Sequence, residues 1–118
     1  MKENGKNKII YKDKEYSIEF NINVIEKIQE KYGTFDKWTK LIQPEKKGEE
    51  TDIKALIFAF TEALNEGIDI ENEDNGTEVK PLTEKQVGRI ITEIGVASAN
   101  QKLQEVVIDS TKSEEKNV

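Results

Sequence analysis

The chain contains neither cysteine nor histidine. Without cysteine there is no disulfide framework and no thiolate zinc site. Without histidine the Ser-His-Asp and Cys-His nucleophile systems are excluded, together with the side chain best suited to proton transfer near neutrality. Ser17, Ser98 and Ser110 therefore have no such base to activate them, and a non-catalytic protein without metal or cofactor is expected. Arginine is represented only by Arg89, which leaves the chain poorly equipped for bidentate phosphate or guanine recognition, and a net charge of -6 repels nucleic acid. The 7 glycines are scattered, so neither a dinucleotide fingerprint nor a phosphate-cradling loop can be assembled. Apolar residues make up 35% and the mean hydropathy is -0.72, so no run is long enough to span a bilayer. The opening MKENGKNKII lacks the apolar region of a secretory signal, and a cytoplasmic location is expected.

What is present suits one small domain. At 118 residues a second independent core is not expected. The expected fold is mainly α with a short N-terminal β-hairpin, four to five helices in all, occupying residues 1–110. A polar, disordered tail is expected over 111–118 (TKSEEKNV). Charge is uneven: residues 1–47 carry a net +3 and residues 48–118 a net -9. Such polarity can orient identical subunits or a charged partner, although most of these charges read as solvated helix faces.

Along the chain, Lys8 to Tyr11 and Tyr16 to Phe20 are β-prone runs joined by the polar Lys12 to Glu15, which predicts a hairpin over 8–20. Val24, Ile25, Ile28 and Tyr32 recur at helical spacing, with Asn21 or Asn23 as cap and Gly33 as stop. Thr34 can cap a short helix carrying Phe35, Trp38, Leu41 and Ile42, which ends near Pro44. A third helix starts at Thr51 or Asp52. It carries Ile53, Leu56, Ile57, Phe60 and Leu64 on one face, leaves Phe58 off it, and is expected to end at Gly67. Residues 68–81 contain Asn75-Gly76 and read as a hairpin or an open loop. Thr83 and Gln86 form a capping box before Val87, Ile90, Ile91 and Ile94. The expected core is Ile25, Ile28, Trp38, Leu56, Ile57, Phe60, Leu64, Ile90, Ile91 and Ile94.

Beyond Gly95 a second stripe appears: Val96, Ala99, Leu103, Val106 and Val107. At about 100° per residue it falls nearly opposite the preceding stripe if the helix is continuous. Either the chain bends at Gly95 and a last helix folds back, or the helix runs straight and offers these five residues to a partner. They are the candidate partner-binding residues. Two other patterns fail. Asp69 to Gly76 resembles a calcium loop, but Leu82 stands where the bidentate carboxylate is needed. The stretch around Gly95 has the flavour of a helix-turn-helix, but Gln101 and Gln104 occupy positions that should be apolar.

The order of segments carries a resemblance. The run YSIEFNINVIEKIQEKYGTFDKW, then TDIKALIFAFTEALNEG, then PLTEKQVGRIITEIG resembles the tail assembly chaperones of long-tailed, siphovirus-type phages and of prophages of Gram-positive bacteria. Asn21 to Gly33 matches the family's Asn-rich helix start and "LEEKYG"-like end. Ile53 to Leu64 is similar to its central helix, and Leu82 to Ile91 to its "LTxExVGxLI" element. Lys54 and Phe58 depart from the arginine and tryptophan common there. The resemblance covers roughly residues 8–95 and implies a protein of the host bacterial cytoplasm that binds the tape measure protein. Such a protein keeps that partner soluble and is displaced as tail tube protein polymerises. It also implies contact with tail tube protein, while the uneven charge leaves contact with a second copy open and the composition argues against nucleic acid and membrane. The alternative expectation is a small prophage regulator, an antirepressor or a helix-turn-helix-like DNA-binding protein.

Overall fold

The computed structural model describes residues 7–116 and folds them as a two-stranded antiparallel hairpin followed by five helices, the expected class. The elements are β1 (Lys8–Tyr11), β2 (Lys14–Ser17), α1 (Ile22–Tyr32), α2 (Phe35–Ile42), α3 (Ile53–Asn75), α4 (Glu84–Ile94) and α5 (Val96–Lys116). No helix among the described residues is long and apolar enough to cross a membrane.

Strand pairing sets Tyr11 opposite Lys14 and Ile9 opposite Tyr16, so the turn is the dipeptide Lys12-Asp13, shorter than expected. Of the two-residue hairpin turns that follow the twist of their strands, the type I′ turn needs positive φ at both positions. Lys12 and Asp13 adopt φ of 52° and 65° without the Asn-Gly sequence that makes this conformation easy. β2 stops at Ser17. Ile18 to Phe20, expected in the strand, leave the sheet because Ile18 and Phe20 are drawn into the core.

Helix starts follow their capping signals. Val24 donates its backbone N–H to Asn21 Oδ1 at 3.3 Å, Lys37 to Thr34 Oγ1 at 3.0 Å, and Ala55 to Asp52 Oδ1 at 3.0 Å. Thr83 and Gln86 complete the reciprocal box that opens α4.

The long helix departs from expectation. Gly67 does not end α3, which continues to Asn75 and stops at Gly76 in the left-handed conformation. Gly67 belongs instead to a row of small residues, Ala55, Ala59, Ala63 and Gly67, spaced by four along one face and buried. Neighbours approach the helix closely along this row. Trp38 Nε1 donates to Ala55 O at 3.1 Å, and Glu19 N donates to Ala63 O at 3.1 Å. A methyl group on Gly67 would collide with the Ser17 carbonyl oxygen. The glycine thus marks the crossing of the chain leaving β2 over α3 rather than a stop. Residues 68–81 accordingly form no hairpin: they complete α3 and then run as a loop to α4.

Seven of the ten expected core residues are buried, whereas Ile25, Ile57 and Ile94 are half-buried at the core margin. Ile53, at the start of α3, is 45% exposed, although Ala55 and Leu56 of the same turn are buried. Phe58, off the main face, packs edge-on to Tyr32 with centroids 5.8 Å apart.

At Gly95 the chain bends, with φ 96° and ψ 143°, and α5 folds back as a separate helix. Asn100 Nδ2 donates to Ile42 O at 2.7 Å, holding α5 against the end of α2. Thr51 Oγ1 donates to the same carbonyl at 3.1 Å, and Gln104 Nε2 donates to Asn100 Oδ1 at 2.7 Å. The bounds of α5 run to Lys116; the polar tail expected over 111–118 falls where the side chains, and for 117 and 118 the backbone too, lie outside the described residues.

Candidate interaction surface

Of the five expected partner-binding residues, Ala99 and Leu103 are wholly buried and Val106 is 3% exposed. Val107 is half-buried, and Val96 keeps 39% of its surface. The stripe is therefore a layer of the core and not an open face. On a straight helix it would lie opposite Ile90 and Ile91. The reversal at Gly95 turns it back onto the core that those residues share.

An open groove lies elsewhere. Tyr11, Lys12, Lys14 and Tyr16 of the hairpin face Leu82, Gln86, Arg89 and Ile90 across a groove of about 280 Å³. Local chemistry builds each wall. The short turn brings Tyr11 and Lys14 opposite one another, and Tyr16 pairs with the buried Ile9. Lys12 Nζ lies 5.5 Å from the Tyr11 ring centroid, and Lys14 Nζ lies 5.5 Å from that of Tyr16, so both cations stand over aromatic faces. On the other wall the Asn65 amide clasps the Leu82 backbone. Asn65 Nδ2 donates to Leu82 O at 2.9 Å, and Leu82 N donates to Asn65 Oδ1 at 2.7 Å. Buried Ile90 and half-buried Leu82 contribute apolar floor. Lys12, Lys14 and Arg89 are exposed and form no ion pair among the described residues. Glu15, between Lys14 and Tyr16, is drawn to Lys8 at 3.4 Å. Three cations, two phenol rings and an apolar floor suit carboxylates flanking an apolar side chain.

Periodicity cannot reveal this groove, because its walls come from residues 11–16 and 82–90 and neither segment carries it alone. Its local trace in the sequence is a lysine within two positions of each hairpin tyrosine.

Acidic groups gather on other surfaces. Burial holds the Glu62 carboxyl above the usual glutamate range, and Glu84, Glu66 and Glu30 add to this against the opposing pull of Lys27. Burial likewise raises the Tyr32 phenol, with smaller contributions from Asp52 and Glu84. Asn21 and Asn23 donate to Glu66 Oε2 at 2.9 and 3.1 Å. Among the described residues no three acidic side chains are grouped to hold a metal ion.

After α3, Asn72 organises the acidic turn. Its Nδ2 donates to Val79 O at 3.0 Å, while Oδ1 accepts from Val79 N at 3.0 Å and from Thr77 Oγ1 at 2.7 Å. Glu73, Asp74, Glu78 and Val79 are exposed on this turn.

No family model matches the chain, and comparison with curated proteins and with solved structures finds no match.

Proposed function

We propose that this chain is a non-catalytic tail assembly chaperone of a long-tailed phage or prophage, which binds the tape measure protein and keeps it soluble until the tail tube polymerises. The observation that carries the reading is the open groove between the hairpin and α4, walled by Tyr11 and Tyr16 and floored by Leu82 and Ile90. A protein that shields apolar helices needs an accessible apolar surface rimmed by polar groups. Further support comes from the segments bearing the family resemblance, which coincide with α1, the first half of α3, and α4 together with the loop before it.

Co-expression with the tape measure protein encoded by the same genome tests this. The reading expects soluble tape measure protein that co-purifies with this chain, and less of both when Tyr16 is replaced by serine. Tape measure protein that precipitates equally with and without this chain would overturn it.

A further inference from the structure

We propose that the groove receives the acidic turn of a second copy of this chain. The turn is a preformed knob. The side chain of Asn72 bonds to both backbone groups of Val79 and to Thr77, which fixes an exposed segment that contributes nothing to the core. Glu73, Asp74 and Glu78 are exposed on the same turn as Val79, an apolar side chain left 41% exposed, against the single cation Lys80. The groove is the complement of this knob: Lys12, Lys14 and Arg89 supply unpaired positive charge, and the tyrosine rings offer Val79 an apolar wall. Opposed charges of this kind set which surfaces meet and in what register.

The knob cannot fill the groove of its own chain. Asn72 pins Val79 on one side and Asn65 pins Leu82 on the other, so the short link between them is held away. Because Val79 precedes groove-lining Leu82 by three residues, knob and groove adjoin on one molecule. A two-fold axis then brings each knob to the other copy's groove and closes a dimer with two equal contacts. This pairing goes beyond the chaperone reading and does not rest on it. A partner entering the same groove would exclude the second copy.

Sedimentation velocity of the full chain and two charge-reversed variants tests the pairing. The wild type should form a dimer whose dissociation constant rises at least about tenfold between low and high salt. The Lys14→Glu/Arg89→Glu variant has an acidic groove and an acidic knob, so alone it should be monomeric. The Glu73→Lys/Asp74→Lys variant has a basic knob and a basic groove, and alone it should also be monomeric. An equimolar mixture should restore the dimer, because each groove then meets a knob of opposite sign. All four positions are exposed, and circular dichroism should confirm that both variants stay folded. A wild type that is monomeric up to near-millimolar concentration, variants that dimerise alone, or a mixture that fails to pair would each overturn the proposal.

Discussion

Ala99, Leu103 and Val106 lie on one helix and are sealed, whereas Tyr11 and Tyr16 of the hairpin and Leu82 and Arg89 beside them come from distant parts of the chain and leave a groove open between them. The difference lies in how each element is held. α5 reverses at Gly95, and Asn100 then locks it to the Ile42 carbonyl, so its apolar side closes against the core. The hairpin is held at its base. Ile18 N donates to Asn7 O at 2.7 Å, Glu19 N donates to Ala63 O, and Ser17 Oγ donates to Glu71 Oε2 at 2.8 Å. Its tip carries Lys12 and Lys14, whose charges resist burial. An apolar stripe therefore says that something covers it, and the polar contacts at its ends say what does.

The largest effect expected from this contrast is at Leu103. Replacement by aspartate places a charge in the closed core and should cost at least about 4 kcal/mol, enough to unfold a marginally stable domain. Denaturant unfolding within about 1 kcal/mol of wild type would mean that α5 does not close as described.

Next in size is Gly67→Ala, which should destabilise by about 2–3 kcal/mol despite the better helix propensity of alanine, because the new methyl meets the Ser17 backbone. Gly88→Ala sharpens the point. Its methyl would sit 3.8 Å from Ile57 Cδ1, an ordinary contact, so the same substitution in α4 should stabilise by up to about 1 kcal/mol in the same assay.

At the groove tip, Lys12→Asn with Asp13→Gly should relieve the positive-φ turn and stabilise by about 1 kcal/mol, read as a shift in thermal midpoint. The same change removes a groove cation, so it should weaken pairing while strengthening the fold. If stability and pairing rose together, the lysine would have no place in the contact.

The smallest effect concerns Glu62. Burial raises its carboxyl above the ordinary range in the folded state, so the native protein holds that proton more tightly than the unfolded chain. Stability should fall as pH rises through the window between the ordinary and the raised value. Glu62→Gln should flatten that slope and stabilise at neutral pH by no more than about 0.5 kcal/mol, since the group is partly solvated. An unchanged slope in pH-dependent denaturant titrations would remove Glu62 as its source.

Local chemistry made much of the fold legible in advance. Asn21, Thr34 and the Thr83-Gln86 box announced helix starts because capping is read within four residues. Gly67 misled, since a glycine that stops a helix and one that admits a neighbouring backbone look alike until the neighbour is known. Ala55, Ala59 and Ala63 escaped notice for a related reason: bulk dominates periodicity, whereas close approach depends on its absence. The stripe on α5 was visible as a stripe, but what covered it depended on the backbone angles of Gly95. The groove was beyond such reading, because Tyr16 and Arg89 meet only through packing.

The proposed pairing puts contacts at the groove and the acidic turn and leaves the stripe on α5 inside the core. Amide hydrogen exchange of the full chain at dilute and at high concentration tests it most directly. Concentrating the protein should add protection at residues 11–16, 76–80 and 86–90, with exchange at 99–106 slow and unchanged at both concentrations. Concentration-dependent protection along α5 with none at the hairpin tip would contradict it.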